Sequence, residues 1–138
     1  MKVRLQDVID ALKFANMGTK YYYSGKNEDI VMVLTGVFAQ PESRALARDI
    51  EAHPGDYVPL PDPEETDEYA MMEEFIETLP KEKQEIFFDD IYPTGAFRNF
   101  EERLAKEGLT EAWLRYRDAE YDAFARSWCD YYGLEIIE

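Results

Sequence analysis

One segment of the sequence has the pattern of a β-hairpin, in a chain whose other apolar residues recur mostly at helical spacing. Thr19–Tyr23 is rich in residues that favour strands, and Ile30–Leu34 is an unbroken apolar run. The residues between them, Ser24–Asp29, are typical of a turn. The combination of one hairpin with several helices predicts an α+β fold.

One amphipathic helix is predicted before the hairpin and another after it. Apolar residues at helical spacing predict the first over Leu5–Asn16. The second begins at Pro41 and ends at the turn His53–Asp56. The segment that follows, Tyr57–Pro61, is expected to be extended, and its prolines restrict it to a sheet edge or an irregular segment.

The C-terminal part is predicted to consist of four or five helices, followed by a short strand over Leu134–Ile137. The first of these helices begins at Asp62, and Thr94 and Thr110 are predicted to cap two later ones. The residues expected on the buried faces are Tyr69, Met72, Phe75, Ile76, Leu79, Ile86, Phe87, Ile91, Phe97, Phe100 and Leu104. The predicted architecture is therefore an N-terminal helix and β-hairpin packed against a helix-rich C-terminal part.

Length and composition predict one domain that spans residues 1–138. The chain has 138 residues, of which 46% are hydrophobic, so it can bury one core without disulfide or metal cross-links. It has one cysteine, which excludes an intrachain disulfide. No stretch approaches the ~20 apolar residues of a membrane span, and the first residues lack the pattern of a secretory signal. We therefore expect a cytoplasmic protein with no membrane partner; the oligomeric state stays open.

The net charge of −15 is concentrated in the middle of the chain, where residues 49–80 hold eleven acids and no Lys or Arg. Such a field repels the phosphates of nucleic acid, so direct nucleic-acid binding is not expected. The charge has a general explanation in solubility. Its more specific explanation is a surface that binds a basic protein partner, and the candidate residues are Glu64, Glu65, Asp67 and Glu68.

The sequence offers little support for a metal, a cofactor or a catalytic group. His53 is the only histidine and lies in a turn, while Cys129 is the only cysteine and lies within the last helix. Without a Cys or His cluster, structural zinc is excluded. No glycine-rich phosphate-binding motif occurs. No catalytic residue, metal ligand or cofactor is predicted, and the balance favours a protein that is not an enzyme.

One group of residues could form a ligand site, namely Arg98, Trp113, Tyr116 and Arg117. Trp113 and Arg117 lie four residues apart on one helix, and Arg98 lies near a helix N-terminus that favours anions. Together they could line a pocket for a phosphate or carboxylate. The alternative, which we favour, is an aromatic core whose arginines are paired with Asp89, Asp90, Asp118 or Glu120.

The C-terminal part also resembles a known family. The segments that carry the resemblance are Asp67–Ile76, Gly95-Ala96-Phe97-Arg98-Asn99-Phe100, Trp113–Asp118, and Ala125 with Trp128. Tyr22-Tyr23, Glu28–Val31 and Tyr57–Pro61 are similar to the family's hairpin region. The chain resembles uncharacterised protein family 0158 (the UPF series) over nearly its whole length. The resemblance implies a small bacterial cytoplasmic protein and brings no activity; Asn99 stands where a second Arg is common.

Three hypotheses follow for the function. The first is a non-enzymatic interaction or regulatory module that presents its acidic face to a protein partner. The second is a binder of a small anionic ligand, or an enzyme, that uses the Arg/Trp group. The third is a mimic of nucleic acid that blocks a basic protein with spaced carboxylates.

Overall fold

A computed structural model describes residues 1–15, 18–36 and 39–138 of the chain. Within these residues the elements follow in the order β1 (Lys2–Arg4), α1 (Leu5–Phe14), β2 (Thr19–Ser24), β3 (Asp29–Leu34), α2 (Pro41–Ala52), β4 (Tyr57–Pro59), α3 (Pro63–Thr66), α4 (Glu68–Glu77), α5 (Lys81–Ile91), α6 (Ala96–Glu107), α7 (Thr110–Tyr131) and β5 (Glu135–Ile137). The prediction of an α+β fold with an N-terminal helix and hairpin and a helical C-terminal part is confirmed. The end predicted for the first helix, Asn16, lies outside the described residues.

The predicted hairpin is formed by β2 and β3, which pair antiparallel from Thr19 opposite Leu34 to Ser24 opposite Asp29. Strand β4 pairs antiparallel with the other side of β2, so the strand order is β3-β2-β4. An edge position is compatible with Pro59 in this strand, because proline has no backbone N–H to donate to a second neighbouring strand. Of the two alternatives predicted for Tyr57–Pro61, a sheet edge or an irregular segment, the structure has the sheet edge for Tyr57–Pro59.

A second pairing joins β1 to β5 in parallel, with Val3 opposite Ile136. The strand near the C-terminal end of the sequence was predicted, but its partner β1 was not. The hydroxyl of Tyr23 donates a 2.7 Å hydrogen bond to the carbonyl of Lys2, which ties β1 to the hairpin. Burial raises the pKa of this hydroxyl above its ordinary value, so it remains a donor at neutral pH.

The described residues fall into two compact units. Unit 1 contains Met1–Thr66 and Tyr121–Glu138, and unit 2 contains Asp67–Glu120. Helix α7 contributes its first half to unit 2 and its second half to unit 1. Whether the two units unfold together is untested, so the single domain stays a prediction. Among the described residues, no helix is both long and apolar enough to cross a membrane.

The core of unit 1 includes apolar side chains from α1, the hairpin and the second half of α7. Trp128 is 7% exposed, and its ring nitrogen donates a 3.3 Å hydrogen bond to the carbonyl of Pro59. Cys129 is fully buried, and burial raises the pKa of its thiol. The thiol is therefore a packing group, because a reactive thiol needs a lowered pKa and access to solvent.

The core of unit 2 is an aromatic cluster formed by α4, α5, α6 and the first half of α7. Its buried side chains are Met71, Met72, Phe75, Ile76, Phe87, Ile91, Phe100, Leu104 and Trp113. Two residues predicted to be buried are exposed: Ile86 at 40% and Phe97 at 51%. Ile86 lies on the side of α5 away from the buried residues Phe87 and Ile91. Phe97 lies in the first turn of α6, and the first buried side chain of that helix is Phe100. For these two positions the prediction was wrong.

Three predicted helix starts also differ from the structure. The helix predicted to begin at Asp62 is divided, because α3 ends at Thr66 and Asp67 adopts a left-handed conformation with φ 47° before α4. Helix α6 is preceded by Gly95 at φ 84° in place of the predicted cap Thr94. In α7 the backbone N–H of Trp113 bonds to the carbonyl of Leu109, so Leu109 occupies the cap position and Thr110 begins the helix.

Candidate functional site

Trp113, the centre of the predicted Arg/Trp group, is part of the core of unit 2. It is 5% exposed. Its ring makes edge contacts with Phe75 and Phe100, at centroid distances of 5.5 Å and 5.0 Å, and stacks on Tyr116 at 6.3 Å. Such contacts stabilise an aromatic core by their geometry as well as by burial. The structure therefore gives Trp113 a packing role.

Tyr116 is half-buried beside carboxylates of α4 and α7. Its hydroxyl donates a 3.3 Å hydrogen bond to Oε2 of Glu74. Burial is the largest cause of a raised pKa at this hydroxyl, and the charges of Glu120, Glu74 and Glu77 raise it further. Three negative charges around one phenol create a field that repels a phosphate or a carboxylate. The surroundings of Tyr116 suit a cation better than an anion.

Arg117 is paired with an acid that the sequence assigned to a different site. Its Nε atom lies 2.8 Å from Oε1 of Glu68, and the two side chains are 25% and 28% exposed. Sequence reasoning had not suggested Glu68 as a partner of this arginine. The positive charge that a bound anion would need is already balanced by Glu68.

Arg98 lies apart from this pair, in the first turn of α6. Its side chain is 85% exposed and forms an ion pair with Glu102 four residues later, with Nε 3.3 Å from Oε1. Of the four residues predicted for the ligand site, the structure brings Trp113 and Tyr116 into contact and leaves Arg98 on the surface with its own carboxylate partner. The ligand site stays a prediction, and these contacts favour the paired-arginine alternative.

The four acids predicted for a partner surface have different environments. Glu64 and Glu65 are exposed in unit 1, and Glu65 accepts a 3.3 Å hydrogen bond from the backbone N–H of Asp62. Asp67 accepts a 3.1 Å hydrogen bond from the N–H of Ala70 and so caps α4. Glu68 is paired with Arg117, Asp67 caps α4 and Glu65 bonds the N–H of Asp62, so Glu64 is the member of the set with no such contact among the described residues.

A surface that sequence reasoning missed lies on α5. Glu82, Glu85 and Asp89 are exposed, and so are the apolar residues Ile86 and Tyr92. The acids recur at intervals of three and four residues, which places them on one side of a helix. This spacing was readable from the sequence, but Ile86 was assigned to the core because it adjoins Phe87. The result is an acidic helix face with apolar residues among the charges.

The histidine of unit 1 belongs to a small polar cluster. Nδ1 of His53 lies 3.2 Å from Oδ1 of Asp49, and the hydroxyl of Tyr57 donates a hydrogen bond to the other oxygen of that carboxylate. The bond from Tyr57 is the main reason that the pKa of Asp49 lies below its ordinary value, and the same bond raises the pKa of Tyr57. A tyrosine with a raised pKa is a poor nucleophile, so the cluster stabilises the chain segment rather than forming a catalytic triad.

Two surface depressions are lined in part by charged side chains. One, of about 320 Å³, lies in unit 1 and is lined by Asp7, Asp10, Ala11, Phe14, Tyr21, Asp29 and Ile30. The other, of about 130 Å³, lies in unit 2 beside the ion pair between Arg103 and Asp90, whose Nε–Oδ2 distance is 2.7 Å. Among the described residues, no group of three or more His, Cys, Asp or Glu side chains is arranged to hold a metal ion. Neither depression combines a nucleophile with a base.

Comparison with known proteins identifies the family. Residues 1–135 match the family described as "Uncharacterised protein family (UPF0158)". Because this match covers nearly all of the 138 residues, the chain belongs to that family. The search of the curated proteins finds no match, and the search of the solved structures finds none. The resemblance inferred from the sequence motifs is therefore confirmed.

Proposed function

We propose that this protein is a non-enzymatic interaction or regulatory module that presents an acidic face to a basic protein partner. The proposal keeps the cytoplasmic location and the bacterial origin that the sequence resemblance implies. It concerns the exposed acids between Asp62 and Asp89, taken separately in each unit: Glu64 and Glu65 of the original partner surface in unit 1, and Glu82, Glu85 and Asp89 in unit 2.

One observation carries the proposal: most of these acids are not neutralised within the chain. Among the described acidic residues between Asp62 and Asp90, only Glu68 and Asp90 form ion pairs. Exposed charges of one sign that lack opposite partners attract a basic surface over about 8–10 Å at physiological salt. They also accelerate association with a partner of opposite charge. A protein partner rich in Lys and Arg fits this field.

The anionic-ligand alternative receives less support from the geometry. A phosphate or carboxylate near Arg117 would have to displace Glu68 and approach the carboxylates around Tyr116. The mimicry of nucleic acid is a narrower form of the proposal, in which the basic partner is a DNA-binding or RNA-binding protein. It is distinguished by competition, since added nucleic acid would release such a partner.

The experiment compares the wild-type protein with two charge variants in affinity capture from the source cell. The first variant neutralises acids of the proposed face, with Glu64, Glu65, Glu82 and Glu85 changed to Gln. The control changes four exposed acids elsewhere, Glu42, Glu51, Glu101 and Glu111, to Gln. We expect wild type and control to retain a basic protein that raised salt releases, and the first variant to lose it. Equal retention by all three proteins, or no retained basic protein, would overturn the proposal.

A further inference from the structure

Helix α5 carries a distinct surface, here named the outer stripe, which consists of Glu82, Glu85, Ile86, Asp89 and Tyr92. All five side chains are exposed, with Ile86 at 40% and Tyr92 at 67%. Positions 82, 85, 86 and 89 follow the spacing that defines one side of an α-helix, and Tyr92 continues it by one residue beyond the helix.

The opposite side of α5 is fully occupied by the core of unit 2. Phe87 is 0% exposed and Ile91 is 1% exposed. The helix therefore has an inner face that holds it in place and an outer face that packing within unit 2 does not use. Changes on the outer stripe can thus be made without opening the core.

The charges of the outer stripe are unbalanced within the described chain. Glu82, Glu85 and Asp89 form no ion pair among the described residues. The nearest bases in sequence are Lys81 and Lys83, and Lys83 is paired with Glu107, with Nζ 3.6 Å from Oε2. The stripe therefore presents a net negative charge to any partner.

The apolar members of the stripe give it anchors as well as charge. The ring of Tyr92 stacks on Phe88, with centroids 5.9 Å apart and planes inclined by 17°. A ring supported in this way loses little freedom when a partner covers it. Burying aliphatic and aromatic side chains stabilises a complex because it removes apolar surface from water, and tyrosine is among the residues enriched at the energetic centres of interfaces.

We infer that the outer stripe is a docking surface for a protein partner with a basic groove that contains an apolar recess. The inference deepens the proposed function and rests on it. The negative charge of the outer stripe favours a partner with Lys and Arg around its groove. The apolar side chains of Ile86 and Tyr92 need an apolar recess in that groove in which to be buried. A convex helix face suits a protein groove rather than a small molecule, which needs a concave site.

The test uses two synthetic peptides of equal length and charge. The amphipathic probe has Leu at intervals of three and four residues, so that Leu forms one side of a helix and Lys the other. The polar probe replaces every Leu with Gly. Fluorescence anisotropy at roughly 0.15 M salt measures the binding of each probe to the wild-type protein and three variants. These are Ile86→Ser with Tyr92→Ser, the neutralised triple Glu82→Gln, Glu85→Gln and Asp89→Asn, and the matched triple Glu51→Gln, Glu101→Gln and Glu111→Gln.

We expect wild type to bind the amphipathic probe more tightly than the polar probe. The apolar double variant should lose about tenfold in affinity for the amphipathic probe and keep its affinity for the polar one. The neutralised triple should weaken both, whereas the matched triple should resemble wild type. Circular dichroism melts verify that each variant is folded, and backbone NMR shifts should change along α5 when the amphipathic probe is added.

Two results would overturn the inference in different ways. If wild type binds both probes and the stripe variants behave like the matched triple, another acidic surface makes the contact; the outer stripe is excluded and the proposed function survives. If wild type binds neither probe and retains no basic protein in the capture experiment, the proposed function fails and the inference fails with it.

Discussion

The Nε atom of Arg117 on α7 lies 2.8 Å from Oε1 of Glu68 in the first turn of α4, with both side chains about one quarter exposed. This ion pair joins two helices within unit 2, and it gives both charges a structural role. It also links a residue predicted to bind a ligand to one predicted to bind a partner. Neither charge can serve an external molecule without breaking the pair.

The first prediction concerns the energy of this pair. Arg117→Met alone should destabilise the protein by ~1–3 kcal/mol, because it leaves a half-buried carboxylate without its partner. The double variant with Glu68→Gln should lose less than the sum of the single changes, with a coupling of about 1 kcal/mol. Urea unfolding of the four proteins in the cycle measures this coupling. Strictly additive losses would show that the contact contributes no stability.

The second prediction concerns Trp128, the buried ring of α7 in unit 1. Trp128→Ala should cost ~3–5 kcal/mol through lost burial and the remaining cavity. Trp128→Phe should cost less, because it keeps an aromatic ring in the core. Its remaining cost should include the loss of the hydrogen bond to Pro59. Replacing the exposed Glu64 and Glu65 with Gln should change stability by no more than ~0.5 kcal/mol. Chemical denaturation compares the variants, and a fully stable Trp128→Ala protein would show that this side of α7 is not core.

The third prediction concerns the acidic titration of Asp49. The bond from the Tyr57 hydroxyl lowers the pKa of Asp49 in the folded protein, so Asp49 adds stability above its unfolded pKa. That contribution disappears as the pH falls through the lowered folded pKa. Tyr57→Phe should shift the pKa of Asp49 upward, while His53→Ala should shift it less. NMR titration of the carboxyl carbon measures both shifts; an unchanged pKa in Tyr57→Phe would contradict this assignment.

The fourth prediction concerns Asp67, which combines a left-handed backbone with the cap of α4. Asp67→Ala should destabilise the fold by ~1–2 kcal/mol, because Ala cannot cap the helix and disfavours a positive φ. Asp67→Asn should be nearly neutral, since Asn satisfies both requirements. Asp67→Gly should fall between them. Thermal melts rank the three variants, and an Asn variant as weak as the Ala variant would argue against the capping role.

The fifth prediction is that the two units unfold in one transition, as a single domain of this size usually does. The two tryptophans allow a direct test, because Trp113 lies in unit 2 and Trp128 lies in unit 1. Trp113→Phe and Trp128→Phe each leave one fluorescent reporter. In each variant, we expect the unfolding midpoint measured by tryptophan fluorescence to coincide with the midpoint measured by circular dichroism. A separation between fluorescence and circular dichroism in either variant would divide the chain into two domains.

Much of the fold followed from local patterns. The hairpin was predicted from strand-forming residues on either side of a turn, and the edge position of β4 from its prolines. Gly108 and Gly133, which follow α6 and α7, adopt the left-handed φ values of 69° and 68° that glycine permits after a helix. These features depend on a few neighbouring residues, so the sequence contains the information needed to predict them.

The errors arose where distant parts of the chain decide the outcome. Ile86 is followed by two apolar residues, Phe87 and Phe88, and only the packing of α5 shows that it is exposed. The pairing of β1 with β5 joins short strands from opposite ends of the sequence, for which no local signal exists. For the candidate site, the partner of Arg117 depends on α4, which supplies Glu68. The partner of Arg98 is Glu102 on its own helix, a local pairing that the sequence reasoning did not consider.

The parallel pairing of β1 with β5 has a consequence for vectorial synthesis on the ribosome. Unit 2 is one continuous stretch, so its chain is complete once Glu120 has emerged. Unit 1 begins earlier but waits for the second half of α7 and for β5, which supply Trp128 and the partner of β1. During that interval α1 and the hairpin remain without part of their core, the situation in which nascent chains depend most on chaperones. Unit 1 therefore begins before unit 2 and is completed after it.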